Sequence, residues 1–131
     1  MAEFISLYSG SSGNSSVVCC GQQYLIIDMG KGVRTTSAAL KALGLAVSDC
    51  AGILVTHEHS DHVKGLSTFL KKNPLPVYGA AATLDFLDAN GIVPASCELR
   101  ELEGREEDIG PFGVQSFPTS HDVPCVGYRI H

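Results

Sequence analysis

Near the middle of this 131-residue chain, an apolar run ends in six residues that no ordinary loop requires. The run is Ala51-Gly52-Ile53-Leu54-Val55-Thr56, bounded by turn-forming residues, and it reads as a short buried strand. The six are His57-Glu58-His59-Ser60-Asp61-His62. After them Val63, Leu66, Phe69 and Leu70 recur at helical spacing, which predicts a helix to Lys72. Three imidazoles and two carboxylates therefore sit on a strand-to-helix connection, where a rigid scaffold can hold functional side chains. Imidazole nitrogen and carboxylate oxygen are both good zinc ligands. In extended backbone His57 and His59 point the same way, because side chains alternate with a period of two. Asp61 and His62 follow once the chain has begun to turn, so they can serve a second, neighbouring position. The bland alternative, a polar loop with capping Asp and surface His, gives no reason for three imidazoles in six residues.

The chain around this stretch reads as alternating strands and helices. Phe4–Tyr8, Ser16–Cys20 and Tyr24–Ile27 are predicted strands of an antiparallel meander. Leu25, Ile26 and Ile27 are apolar on both faces, which suits a central strand. Between the first two strands, Ser9 to Asn14 is a turn, either a plain hairpin loop or an anion-receiving backbone nest. Asp28 closes the third strand. Thr35–Leu45 is an amphipathic helix with Thr35 or Thr36 as its cap and Gly44 at its end. Asn73-Pro74-Leu75-Pro76 is a stop, Val77–Gly79 a short strand, and Ala81–Ala89 a helix closed by Asn90-Gly91. Cys97–Leu102 is a strand, Glu103–Asp108 a solvated acidic turn, and Phe112–Phe117 and Cys125–Ile130 the last strands. Lys71 and Lys72 suit a solvated helix end, the alternative being contact with a phosphodiester backbone.

Composition narrows the class. Hydrophobic content of 44% and charged content of 18% fit one globular domain over residues 1–131. There is no apolar run long enough to cross a membrane and no basic, apolar leader pattern. Cys19, Cys20, Cys50, Cys97 and Cys125 are an odd number with no Cys-x-x-Cys pair. That usage predicts a reducing, cytoplasmic setting and argues against a zinc-thiolate site. A net charge of −5 argues against tight non-specific DNA binding by this segment alone.

His-x-His-x-Asp-His after an apolar strand resembles the signature of the metallo-β-lactamase fold hydrolases. Ser9-Gly10-Ser11-Ser12-Gly13-Asn14-Ser15 and Pro118-Thr119-Ser120-His121-Asp122 resemble the YycJ/WalJ exonuclease branch of that family. The resemblance runs along the whole chain and covers about the first half of a typical member. It implies an α/β (α+β) fold class: the N-terminal half of an αββα sandwich, one mixed sheet with helices on one face. It implies His57, His59 and His121 as a three-histidine metal site with an open position for water. Asp61 and His62 would hold a second ion of a dinuclear site, or act as general base and orienter. The implied metal is zinc, one or two ions, with manganese possible. Asp28 is implied to support the ligands from behind, orienting an imidazole or a loop amide. Asp122 is read the same way, and His131 has no role.

The implied function is a metal-dependent hydrolase, a phosphodiesterase or DNA exonuclease using metal-activated water. The alternatives are a small thioester or lactone hydrolase of the same fold, or a non-catalytic metal-binding or interaction fragment. The family's bridging aspartate and a further histidine have no counterpart here, so the 131-residue chain is expected to be weakly active or inactive. A half-sandwich is also expected to expose one sheet face, formed by the Phe4–Asp28 meander and Ile53–Val55. That predicts a homodimer through this face.

Overall fold

Neighbouring residues on each central strand face opposite ways, and both directions lead into apolar cores. Val17, Ile26, Ile53 and Val77 enter one buried cluster, while Val18, Leu25, Leu54 and Tyr78 enter another. A strand apolar on both faces must be covered on both faces, and this chain supplies both covers. The computed structural model describes residues 3–8, 13–56, 63–102, 106–118 and 126–130.

Strands β1 (Glu3–Tyr8), β2 (Ser15–Cys20), β3 (Gln23–Ile27), β4 (Cys50–Leu54), β5 (Val77–Gly79) and β6 (Leu99–Glu101) form a six-stranded sheet in chain order. The β1–β2–β3 part is the expected antiparallel meander; β3 through β6 run parallel. Parallel neighbours need long crossovers. Here α1 (Val33–Ala42), α2 (Leu66–Lys72) and α3 (Ala81–Ala89) lie in them, α2 being where the regular helix settles after the histidine segment. Leu40, Leu66, Phe69, Leu70, Leu84 and Leu87 from these helices pack on one sheet face with Val17, Ile26, Ile53 and Val77. Removing one such leucine costs about 2–5 kcal/mol. The mixed sheet with helices on one face matches the sequence-based expectation.

Helix ends follow their glycines. Gly44 (φ 74) and Gly91 (φ 66) take the left-handed conformation that closes α1 and α3. In each case the next amide returns to the last turn, Leu45 to the Leu40 carbonyl and Ile92 to that of Leu87. The start of α1 differs from expectation. Gly32 is the N-cap, and Thr36 is buried inside the helix. Its Oγ1 lies 2.8 Å from the Tyr8 hydroxyl, a bond across 28 residues that replaces capping.

The second face differs more. The expectation left it bare, but β7 (Glu107–Ile109), β8 (Phe112–Pro118) and β9 (Val126–Ile130) form a separate antiparallel sheet. Ile109, Phe112 and Val114 pack with Leu25, Leu54, Tyr78 and Leu102, so the cover lies over the central strands. Part of the predicted acidic turn is thus β7: Glu107 and Asp108 are exposed as a solvated segment should be, while Ile109 is buried. The Ser116 hydroxyl donates to the Leu102 carbonyl at 3.2 Å and ties the two sheets together. Among the described residues, Phe4, Val18, Ile27, Tyr128 and Ile130 line a groove of about 260 Å³ over the meander. The total accessible surface of 6842 Å² compares with ~6,600 Å² for a compact monomer of this mass. Among the described residues no helix is long and apolar enough to cross a membrane.

Burial also sets a pH dependence. Tyr24 and Cys50 pair across β3 and β4 in the helix-side core. Loss of hydration pushes the Cys50 thiol from 9.0 up to about 12, against smaller opposing contributions from backbone groups of Gly52 and Ile26. Burial, with Cys50 and Asp49 nearby, pushes the Tyr24 phenol upward as well. Both groups stay protonated in the fold after the unfolded chain has begun to lose those protons. Their contribution is therefore complete below pH 9; the Cys50 part is lost as pH rises from 9 towards 12, and the Tyr24 part only above pH 10. Each group can contribute about 1.4 kcal/mol per pH unit to that loss. Melting curves should fall above pH 9; a melting temperature unchanged from pH 9 to 11 would contradict this.

Candidate metal centre

In parallel α/β sheets, sites form outside the carboxyl ends of the strands. β3 and β4 end side by side, and the residues following them build a clamp. Asp28 follows β3 and has φ 62, a left-handed value that an aspartate tolerates better than most residues. Its amide donates to the Leu54 carbonyl at 2.8 Å, so it still belongs to the β3–β4 ladder. The turn aims its buried carboxylate across β4. Oδ1 accepts the Thr56 amide at 2.8 Å, and Oδ2 accepts the Thr56 hydroxyl at 2.7 Å. A carboxylate with both oxygens engaged fixes the residue immediately before His57.

The far side of the histidine segment is fastened to the same place. The Gly65 amide donates to the Met29 carbonyl at 3.0 Å. Gly65 lies so close over Lys31 that a Cβ there would run into the Lys31 carbonyl oxygen. Met29, fully buried, anchors this stretch in the helix-side core. On the other flank the Gly30 amide donates to the Asn14 carbonyl at 2.9 Å, and the Lys31 amide donates to the Tyr8 hydroxyl at 3.2 Å. The Lys31 ammonium sits 5.3 Å from the Tyr8 ring centre. Residues 28–32 therefore hold the entry and exit of the histidine segment and the start of β2.

The second sheet reaches the same spot. Tyr128 on β9 donates its hydroxyl to the Val55 carbonyl at 2.5 Å. β9 pairs with β8 up to Pro118↔Val126, and the connection between them carries His121.

His57, His59, Asp61, His62 and His121 themselves lie outside the described residues, as do Asp122 and His131. The described residues contain no group of three or more His, Cys, Asp or Glu able to hold a metal. Cys19, Cys20, Cys50 and Cys97 are free thiols, and burial raises the pKa of Cys19 and Cys50, which disfavours the thiolate a metal needs. Asp28 holds a loop amide, one of the two supporting roles expected of it. Thr56, Met29, Gly65 and Tyr128 carry no sequence signal for their parts: their contacts join residues far apart in the chain.

The profile of the Metallo-beta-lactamase superfamily matches residues 8–128. Exodeoxyribonuclease YycJ of Bacillus anthracis is 38% identical over 121 residues, an alignment covering 92% of this chain and 46% of that protein. Exodeoxyribonuclease WalJ of Streptococcus pneumoniae is 30% identical over 120 residues, covering 89% and 45%. The chain thus spans about half the length of these relatives. The metallo-beta-lactamase fold protein YhfI from Bacillus subtilis superposes with a TM-score of 0.78 at 16% identity, over 100% of this chain and 58% of that one. With fold, clamp and family profile in agreement, the chain belongs to the metallo-beta-lactamase superfamily.

Proposed function

We propose that this chain carries the first part of a metal-dependent phosphodiesterase centre and that the substrate is DNA, cut from an end. The observation that carries this reading is the fastening of residues 57–62 at both ends to consecutive residues, Thr56 to Asp28 and Gly65 to Met29. Flanking residues fixed on both sides lower the entropy cost of bringing several side chains between them to one ion. His57, His59 and His121 are assigned as ligands of a first zinc. Asp61 and His62 are assigned to a second ion, zinc or manganese, or to proton transfer at the attacking water. Such a metal supplies Lewis acidity and a water acidified towards neutrality. DNA is favoured over small thioesters by the names of the relatives, both exodeoxyribonucleases. The free thiols suit a cytoplasmic location. The open strip around Phe4 and Ile130 is the surface assigned to a second copy of the chain.

Metal analysis paired with a nuclease assay tests the reading. The 131-residue chain should bind about one zinc and release nucleotides from duplex DNA weakly, while a protein of the relatives' full length should cleave strongly and stop with EDTA. A chain that takes up no metal, or cleavage that persists in EDTA, would overturn it. Light scattering on the same preparation should give a dimer; a monodisperse monomer removes the second-copy assignment.

A further inference from the structure

We propose that Tyr128 is a positioning residue for the metal centre: its hydroxyl fixes the peptide that leads into His57 and couples that loop to the one bearing His121. This inference rests on the metal-centre reading above and adds a residue to it.

The geometry is specific to one peptide unit. The Val55 carbonyl and the Thr56 amide belong to the same planar group. Tyr128 Oη holds the carbonyl at 2.5 Å, and Asp28 Oδ1 holds the amide at 2.8 Å. The plane is gripped at opposite edges from two different sheets, so it cannot rotate without breaking a bond. Its orientation sets ψ of Val55 and φ of Thr56, and the next residue is His57. Val55 is fully buried and its own amide is bonded to the Tyr78 carbonyl at 3.0 Å, so the peptide has a rigid base.

Tyr128 also lies close in sequence to the connection that carries His121. It pairs with Ser116 on β8, two residues from the Pro118↔Val126 pair that opens the connection carrying His121. Ser116 is itself tied to the Leu102 carbonyl at 3.2 Å. One hydroxyl therefore links the strand that delivers His57 to the hairpin that delivers His121. The ring has a separate task, lining the groove with Phe4, Val18, Ile27 and Ile130. Phenylalanine would keep the ring and lose the link.

Tyr24 supplies the control. Its hydroxyl is fully buried and finds no partner among the described residues, so Tyr24→Phe removes a buried hydroxyl without releasing a strand. Zinc affinity of wild type, Tyr128→Phe and Tyr24→Phe is measured by competition with a chromogenic chelator. Amide exchange at Thr56 is followed in the metal-free proteins. Tyr128→Phe should bind zinc about 10-fold more weakly or worse and exchange the Thr56 amide faster, with Tyr24→Phe at wild-type values. Unchanged zinc affinity in Tyr128→Phe would overturn the proposal even if its melting temperature falls, since that is the mark of a purely structural tyrosine. A wild-type chain that takes up no zinc overturns the metal-centre reading together with this one, and is recognised without any variant.

Discussion

Asp28→Ala is expected to cost about 3–5 kcal/mol of folding stability, a large share of a small domain's total. Two effects add. The carboxylate accepts two hydrogen bonds from Thr56, at 2.8 and 2.7 Å, and alanine leaves both donors without it. Bonds to a charged group contribute about 1.5–3 kcal/mol each when well made, and Thr56 is only half-buried, so water recovers part of the loss. Alanine must also hold φ near 62, which costs about 1–2 kcal/mol for a residue with a Cβ. Asp28→Gly separates the two, because glycine takes that φ freely but has no carboxylate. The expected order of stability is Asp, Asn, Gly, Ala. The melting temperature of the alanine variant should drop by roughly 10–20 °C, and zinc affinity should drop in both the Gly and Ala variants. A melting temperature within a degree or two of wild type would show that the Thr56 bonds do not hold this corner.

The second large effect concerns Asp61. Asp61→Asn should reduce hydrolysis of an activated phosphodiester, bis-p-nitrophenyl phosphate, by about 100-fold or more, the scale on which a proton-transfer or charge-stabilising group acts. Zinc content should stay close to wild type, because the first ion is assigned to His57, His59 and His121. Metal content and rate must be measured on one preparation. Equal loss of both would place Asp61 on the first ion and would redraw the centre.

Much of the fold was legible because the residues carry their own periodicity. Leu25-Ile26-Ile27, apolar on both sides, marked a central strand, and Leu25 and Ile26 enter opposite cores. Gly44 and Gly91 marked helix ends because their left-handed conformation is a local property. β7 was not legible, since Glu107 and Asp108 are charged and exposed and only Ile109 is buried. The second sheet was missed for a related reason. The sequence shows that Leu54 and Tyr78 need cover without showing that Phe112 and Val114 provide it. At the site, the candidate donor residues stood out by their clustering. Their support did not: Asp28 reaches Thr56 across 28 residues and Tyr128 reaches Val55 across 73. Thr36 read as a cap because threonine often caps, yet its partner is Tyr8 on another element.

X-ray absorption at the zinc edge, on the chain loaded with one equivalent, tests the central claim most directly. The account predicts three imidazole nitrogens and an oxygen at about 2.0–2.1 Å, and one fewer imidazole in His121→Ala. A sulfur shell at about 2.3 Å would move the metal to the cysteines, and an unchanged shell in His121→Ala would separate His121 from His57 and His59; either result contradicts the account.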